Sequence, residues 1–154
     1  MNKKTRFLVQ GAIIAALYAT LTIALAPISY GQIQVRIAEA LTILPLFTPA
    51  AIPGLFVGVI IANSFGGLGM VDIVFGSLAT LSAAYLTHKM PKKWLAPLPP
   101  VLINAVVVAF ILNHVLGLPL FITMIWVGSG QLIACYGIGY PLLLALEKHK
   151  EKIF

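Results

Sequence analysis

The chain has 154 residues, of which 60% are apolar and only 9% charged, against about a quarter charged in an ordinary soluble domain. A soluble chain of this size hides only about two thirds of the surface it exposes when unfolded, so the composition excludes a water-soluble globule and asks for lipid as the solvent of the remainder. The net charge of +6 does not indicate a nucleic-acid surface: every basic residue except Arg36 falls in one of three clusters, Lys3/Lys4/Arg6, Lys89/Lys92/Lys93 and Lys148/Lys150/Lys152, each beside an apolar segment, as cytoplasmic anchors of membrane helices are.

The first apolar segment, residues 7–26, follows the first basic cluster. Ala24-Leu25-Ala26 mimics a signal-peptide cleavage site. The segment nevertheless exceeds the usual apolar region of about 7–15 residues, and Pro27 follows at once, so it is read as a retained helix. Gly11, Ala15 and Ala19 form one ridge along it, and Ala12 and Ala16 the ridge beside it. Such small residues admit another helix closely, whether internal or from a partner. Residues 37–47 and 50–64 are apolar but split by Thr48-Pro49 and Pro53, and each is short for a crossing of about 20 residues. Longer segments follow at residues 71–87, 95–115 and 120–146.

The basic clusters set the parity of these segments. If all three face the cytoplasm, the chain crosses an even number of times between successive clusters. The two short segments therefore add two crossings or none. The expected fold is all-α: a six-helix transmembrane bundle in the cell membrane, one domain over residues 1–154, with N and C termini cytoplasmic. The alternative is four spans with a re-entrant hairpin at residues 37–64. Residues 29–36, 65–70 and 113–119 then lie outside. Residues 48–53 and 88–94 lie inside, with Trp94 as an interface anchor.

Polar residues that lipid should reject carry the functional information. Arg36 and Glu39 are three apart and share a helix face, as an ion pair or as ligand contacts. Asp72 follows Gly66-Gly67-Leu68-Gly69, where a carboxylate caps a helix or meets a ligand. Asn104 and Gln131 lie inside spans and need partners; Gln131 stands among Gly128, Gly130 and Gly137. Tyr30, Gln32 and Gln34 alternate in the first outer loop, and Trp126 is a belt aromatic or a stacking surface. The single cysteine, Cys135, excludes an intramolecular disulfide. His88, His114 and His149 lack metal-ligand spacing, so no metal is expected. No phosphate loop, His-Glu-x-x-His or Gly-x-Ser-x-Gly pattern occurs; neither a cofactor nor enzyme chemistry is expected.

Residues 28–41, Ile-Ser-Tyr-Gly-Gln-Ile-Gln-Val-Arg-Ile-Ala-Glu-Ala-Leu, resemble the signature of the queuosine-precursor transporter family, QueT. So do Ala51-Ile52-Pro53-Gly54-Leu55-Phe56, the glycine turn with Asp72-Ile73-Val74-Phe75-Gly76-Ser77, and Leu98-Pro99-Pro100-Val101-Leu102-Ile103-Asn104-Ala105. The resemblance runs over nearly the whole chain. It implies the substrate-binding component of an energy-coupling factor transporter, with six helices and a pocket opening outward. It also implies a transmembrane coupling subunit and two cytoplasmic ATPases as partners, docked on the ridge of Ala12, Ala15, Ala16 and Ala19. The implied ligand is a 7-deazaguanine such as preQ1 or queuine. Glu39, Asp72, Asn104 and Gln131 are the candidate readers of its edge, Tyr30 and Trp126 the candidate stackers, and Gln32 and Arg36 further candidate contacts. The family pattern more often carries Glu at Gln131, which bears on ligand preference, since an amide cannot neutralise a cation. Another vitamin-like ligand such as riboflavin or thiamine, a structural subunit of a membrane complex, and a membrane enzyme are the competing readings.

Overall fold

The computed structural model describes residues 2–31 and 33–154, all-helical with no strand among the described residues. The principal helices are α1 (Lys3–Ala24), α2 (Ile37–Leu46), α3 (Ala51–Ser64), α4 (Ser77–His88), α5 (Leu98–Leu116) and α6 (Leu120–Leu132). A π-helical turn, Asp72–Gly76, leads into α4, and a second, Ile133–Gly139, carries α6 into Tyr140–Glu147. Short helices at Ala26–Ser29, Lys93–Leu95 and Lys150–Ile153 complete the chain.

Three helical runs, Lys3–Ala24, Lys93–Leu116 and Leu120–Glu147, are long and apolar enough to cross a membrane; Ile37–Leu46 and Ala51–Ser64 are apolar but shorter. The helix α2 is of the 3-10 type throughout its ten residues, where runs beyond three or four are uncommon. Pro45 lies inside it and has no N–H to donate. The Thr42 hydroxyl donates to the Glu39 carbonyl at 2.6 Å. The 3-10 rise of about 2.0 Å per residue lets this short segment reach further than an α-helix of equal length.

Side-chain contacts gather the chain into two ends. At one end Gln10 accepts from Thr48 at 3.0 Å, Phe47 stacks on Phe154 with centroids 5.5 Å apart, His88 Nδ1 lies 2.6 Å from the Pro45 carbonyl, and Lys93 pairs with Glu147. The three basic clusters therefore share that end. At the opposite end Tyr30 donates to the Ala62 carbonyl at 2.5 Å, and Leu68 and Leu118 pack on Val108, Leu112 and Val127. The chain passes between the two ends six times.

Polarity is inverted relative to a soluble protein. Phe7, Leu8, Phe65, Phe75, Phe110, Phe121 and Ile125 are exposed, whereas Arg36, Glu39, Asn63, Asp72, Asn104 and Gln131 are buried. Apolar side chains outward and ionisable ones inward is the arrangement that a hydrocarbon solvent selects.

The helices α1 and α3 pack closest. A Cβ on Gly58 would lie 2.9 Å from Tyr18 Cβ and 3.0 Å from the Ala15 carbonyl oxygen, so only hydrogen fits there. This contact divides the small-residue ridge of α1. Ala15 and Ala19 face inward and are buried, while Ala12 and Ala16 are exposed. Gly11 and Ala15 lie against α3, whose own glycines let the two backbones meet.

Replacing Gly58 with Val is expected to push α1 from α3 and to lower stability by about 1–3 kcal/mol, read as a lower midpoint of thermal unfolding in detergent. An unchanged midpoint would contradict the close contact.

Candidate functional site

Two irregular helical segments and three regular ones converge on a buried polar cluster. The beginning of α2 supplies Arg36 and Glu39, the C-terminal turn of α3 supplies Asn63, and the π-helical turn before α4 supplies Asp72. The middle of α5 supplies Asn104, and α6 supplies Gln131. Gln34, Gly76, Thr80 and Val108 complete the lining. Arg36 is 5% exposed, Glu39 2% and Asp72 1%; ions so buried persist only when paired or hydrogen-bonded.

Arg36 organises the half nearer residues 29–36. Its Nε donates to the Ser29 carbonyl at 3.2 Å, and its Nη1 donates to Asn63 Oδ1 at 2.9 Å. Its Nη2 lies 4.0 Å from Asp72 Oδ2. Asn63 in turn donates from Nδ2 to the Asp72 backbone carbonyl at 3.0 Å. The amide thus holds the guanidinium with one atom and the acidic turn with the other. Gly76 makes room for this: a Cβ there would sit 2.7 Å from Asn63 Nδ2 and 2.9 Å from Asp72 Oδ1. Arg36 Nη2, Asp72 Oδ2 and Gln34 Nε2 remain without a hydrogen-bond partner among the described residues. Gln34 also has φ +50°, a left-handed conformation seldom adopted outside glycine. Strained backbone of this kind concentrates at functional sites.

Tyr30 covers this half from the loop. Its ring centroid is 5.4 Å from Arg36 Cζ, a cation–π distance, and its ring lies against Gly66. Burial raises the Tyr30 phenol above its ordinary pKa, outweighing the Arg36 charge that favours the phenolate. It therefore stays a donor to Ala62.

The second half centres on Glu39. The Tyr18 hydroxyl, from α1, donates to Oε1 at 2.5 Å, and Asn104 Nδ2 donates to Oε2 at 3.3 Å. Asn104 Nδ2 also donates to Gln131 Oε1 at 3.3 Å, and the Cys135 thiol approaches the same oxygen at 3.6 Å. A single chain of hydrogen bonds thus links α1, α2, α5 and α6.

Of the residues singled out by sequence, Arg36, Glu39, Asp72, Asn104 and Gln131 meet in one cluster and Tyr30 lies over it. Gln32 lies outside the described residues. Trp126 is half-buried and does not line the cluster. The inward face of α6 carries Thr123, Val127, Gly130 and Gln131. The turn of α6 beside Gln131 is covered by the backbone of Ile33 and Gln34, which packs on Gly130. Sequence reasoning passed over Tyr18, Asn63 and Thr80 as site residues. The signal for Asn63 was present, since an amide within an apolar segment is the same feature that marked Asn104.

The cavity among these side chains measures about 10 Å³, which accommodates roughly one water. A heteroaromatic ligand enters only if the cover formed by Tyr30 and the neighbouring loops moves aside.

A family model described as "QueT transporter" matches residues 8–148. A curated relative, "Queuosine precursor transporter QueT" of Lactococcus lactis subsp. cremoris (strain MG1363), is 41% identical over 82 residues. That match covers 52% of this chain and 48% of the relative, so the chain spans about half the length of the relative it matches. No solved structure matches.

Loss of Arg36 takes from Asp72 its ion-pair partner and from the cluster its one guanidinium. Arg36→Gln is expected to cost about 3–5 kcal/mol of stability, and Asn63→Leu, which strands one guanidinium N–H, about 1–3 kcal/mol. Thermal unfolding of both variants in detergent checks the order; a smaller loss for Arg36→Gln than for Asn63→Leu would contradict the central role of the guanidinium.

Proposed function

The chain belongs to the QueT transporter family, and we propose that it is the membrane-embedded component that captures a queuosine precursor for uptake. The observation that carries this reading is the buried cluster of Arg36, Glu39, Asn63, Asp72, Asn104 and Gln131 inside an otherwise apolar bundle. It offers both donors and acceptors, as the edge of a 7-deazaguanine such as preQ1 or queuine requires. Tyr30, Gln32, Arg36, Glu39, Asp72, Asn104 and Gln131 are the proposed ligand contacts. Trp126 has no part in this proposal.

The proposed topology is six membrane spans with both termini cytoplasmic, in the cell membrane. It is supported by the three basic clusters sharing one end of the molecule and by six passes of the chain between the ends. Three of those passes are individually long and apolar enough to cross. The ligand site then lies nearer the outer face. Residues 29–36 and the glycine turn at residues 65–70 form a cover that opens for capture and closes over the ligand.

Energy is proposed to come from partners, namely a transmembrane coupling subunit and two cytoplasmic ATPases of an energy-coupling factor transporter. The ridge of Ala12, Ala15, Ala16 and Ala19 on α1, of which Ala12 and Ala16 are exposed, is the proposed surface for the coupling subunit. A groove of about 300 Å³ lined by Phe7, Leu8, Ala12, Pro53 and Val57 adjoins them.

Calorimetry with preQ1, preQ0, queuine and guanine on the detergent-purified chain tests the ligand class. Submicromolar binding of at least one deazaguanine, at least tenfold tighter than guanine, is expected, on the scale of one hydrogen-bonded group gained (about 1.4 kcal/mol per tenfold). Absence of binding by all four would remove the ligand assignment. Uptake into vesicles by the chain with its partners is expected to require ATP; uptake without ATP would remove the energy-coupling assignment.

A further inference from the structure

Deazaguanines of this class have two distinct parts. One is a lactam edge, in which a ring N–H adjoins a carbonyl. The other is the substituent on the five-membered ring, a protonated aminomethyl group in preQ1 and a neutral nitrile in preQ0. The buried cluster also has two parts, and they differ in what they leave unspent.

Arg36 Nη2 and Asp72 Oδ2 are buried, lack hydrogen-bond partners among the described residues and face each other at 4.0 Å. That separation is beyond a direct hydrogen bond. The other two guanidinium nitrogens are already held, by Ser29 and Asn63, so Nη2 is fixed in direction. One donor stands beside one acceptor, the complement of a lactam edge whose carbonyl accepts from Nη2 and whose N–H donates to Oδ2.

Glu39 presents the opposite situation. Both of its oxygens accept hydrogen bonds from neutral donors, Tyr18 and Asn104. Among the described residues no cation pairs with it. With both carboxyl groups ionised, the cluster sets one guanidinium against two carboxylates. Among the described residues no other base joins it: the remaining nine Lys and Arg lie in the clusters at the far end, and His114 is exposed on α5. In apolar surroundings the surplus carboxyl either takes up a proton or is joined by a cation, and a bound ammonium supplies that cation.

We infer that Glu39 takes the cationic substituent of the ligand while Arg36 and Asp72 read its lactam edge, so that the site selects a monocationic deazaguanine over a neutral one with the same ring. This assignment rests on the transport reading above. Tyr18 and Asn104 act as positioning residues that hold the Glu39 carboxylate for the amine. Gln131, an amide in the same hydrogen-bonded chain, keeps the excess at one charge, where a carboxylate would make it two.

The test is competition binding of preQ1, preQ0 and unsubstituted 7-deazaguanine to the detergent-purified wild type, Glu39→Gln and Asp72→Asn. The wild type is expected to bind preQ1 at least about tenfold tighter than either neutral compound, the scale of one charge-assisted hydrogen bond. In Glu39→Gln, preQ1 is expected to weaken about tenfold or more while preQ0 stays within about threefold, since only the ion pair is lost. Asp72→Asn is expected to weaken all three compounds alike. Retained preQ0 binding reports that Glu39→Gln is folded, and the wild-type ranking needs no variant at all. Equal binding of preQ1 and preQ0 by the wild type overturns the assignment and leaves the transport reading standing. Parallel loss of preQ0 and preQ1 in a Glu39→Gln protein that elutes like the wild type also overturns it. Wild type that binds none of the three overturns both.

Discussion

A guanidinium buried among apolar helices constrains everything around it, because the cost of removing it from water is recovered only through well-placed partners. Arg36 finds them in the Ser29 carbonyl, Asn63 Oδ1, the Asp72 carboxylate and the face of Tyr30. Those four come from the loop at residues 29–36, the end of α3 and the turn before α4. The ion therefore ties together three separate segments of the chain. Removing any one partner leaves the others oriented towards an unpaired charge, which is why Asn63 bonds both the guanidinium and the acidic turn.

The helices that hold the cluster depart from α geometry where they meet it. The 3-10 helix α2 follows Arg36 and contains Glu39, the π-helical turn Asp72–Gly76 begins with the acid, and the π-helical turn Ile133–Gly139 begins just beyond Gln131 and Leu132. Short 3-10 and π segments shift the side-chain register of a helix and loosen its backbone ladder. Here they turn side chains towards a common point that three straight helices would not share. Glycines make the approach possible, with Gly76 leaving space for Asn63 and Asp72 to come together. The outcome is a polar centre with almost no free volume.

Much of this was readable from residue types. The apolar composition and the three lysine-rich clusters require a helical membrane protein whose ends are distinguished by charge. The rule that lipid rejects polar side chains picked out Arg36, Glu39, Asp72, Asn104 and Gln131, all of which enter the cluster. The same rule applied to Asn63 would have included it. Tyr18 was not recoverable in this way: a tyrosine in an apolar helix serves equally as packing, and only the 2.5 Å bond to Glu39 distinguishes it. Trp126 does not line the cluster, since an aromatic one position off the inward face of α6 reads the same in sequence as one that faces inward.

By itself, then, the sequence determined the solvent, the helical class, the shared end of the basic clusters, the family and most of the polar residues that must be hidden. These follow from residue chemistry and short spacings, which act locally. Tertiary structure alone decided how those residues are partnered. It set Gly11 and Ala15 against α3, placed Asn63 between Arg36 and Asp72, and gave Glu39 neutral hydrogen-bond donors. Partnership depends on which faces of distant helices meet, and that is settled by close packing and by the requirement that every buried charge find a counterpart, neither of which any single segment encodes.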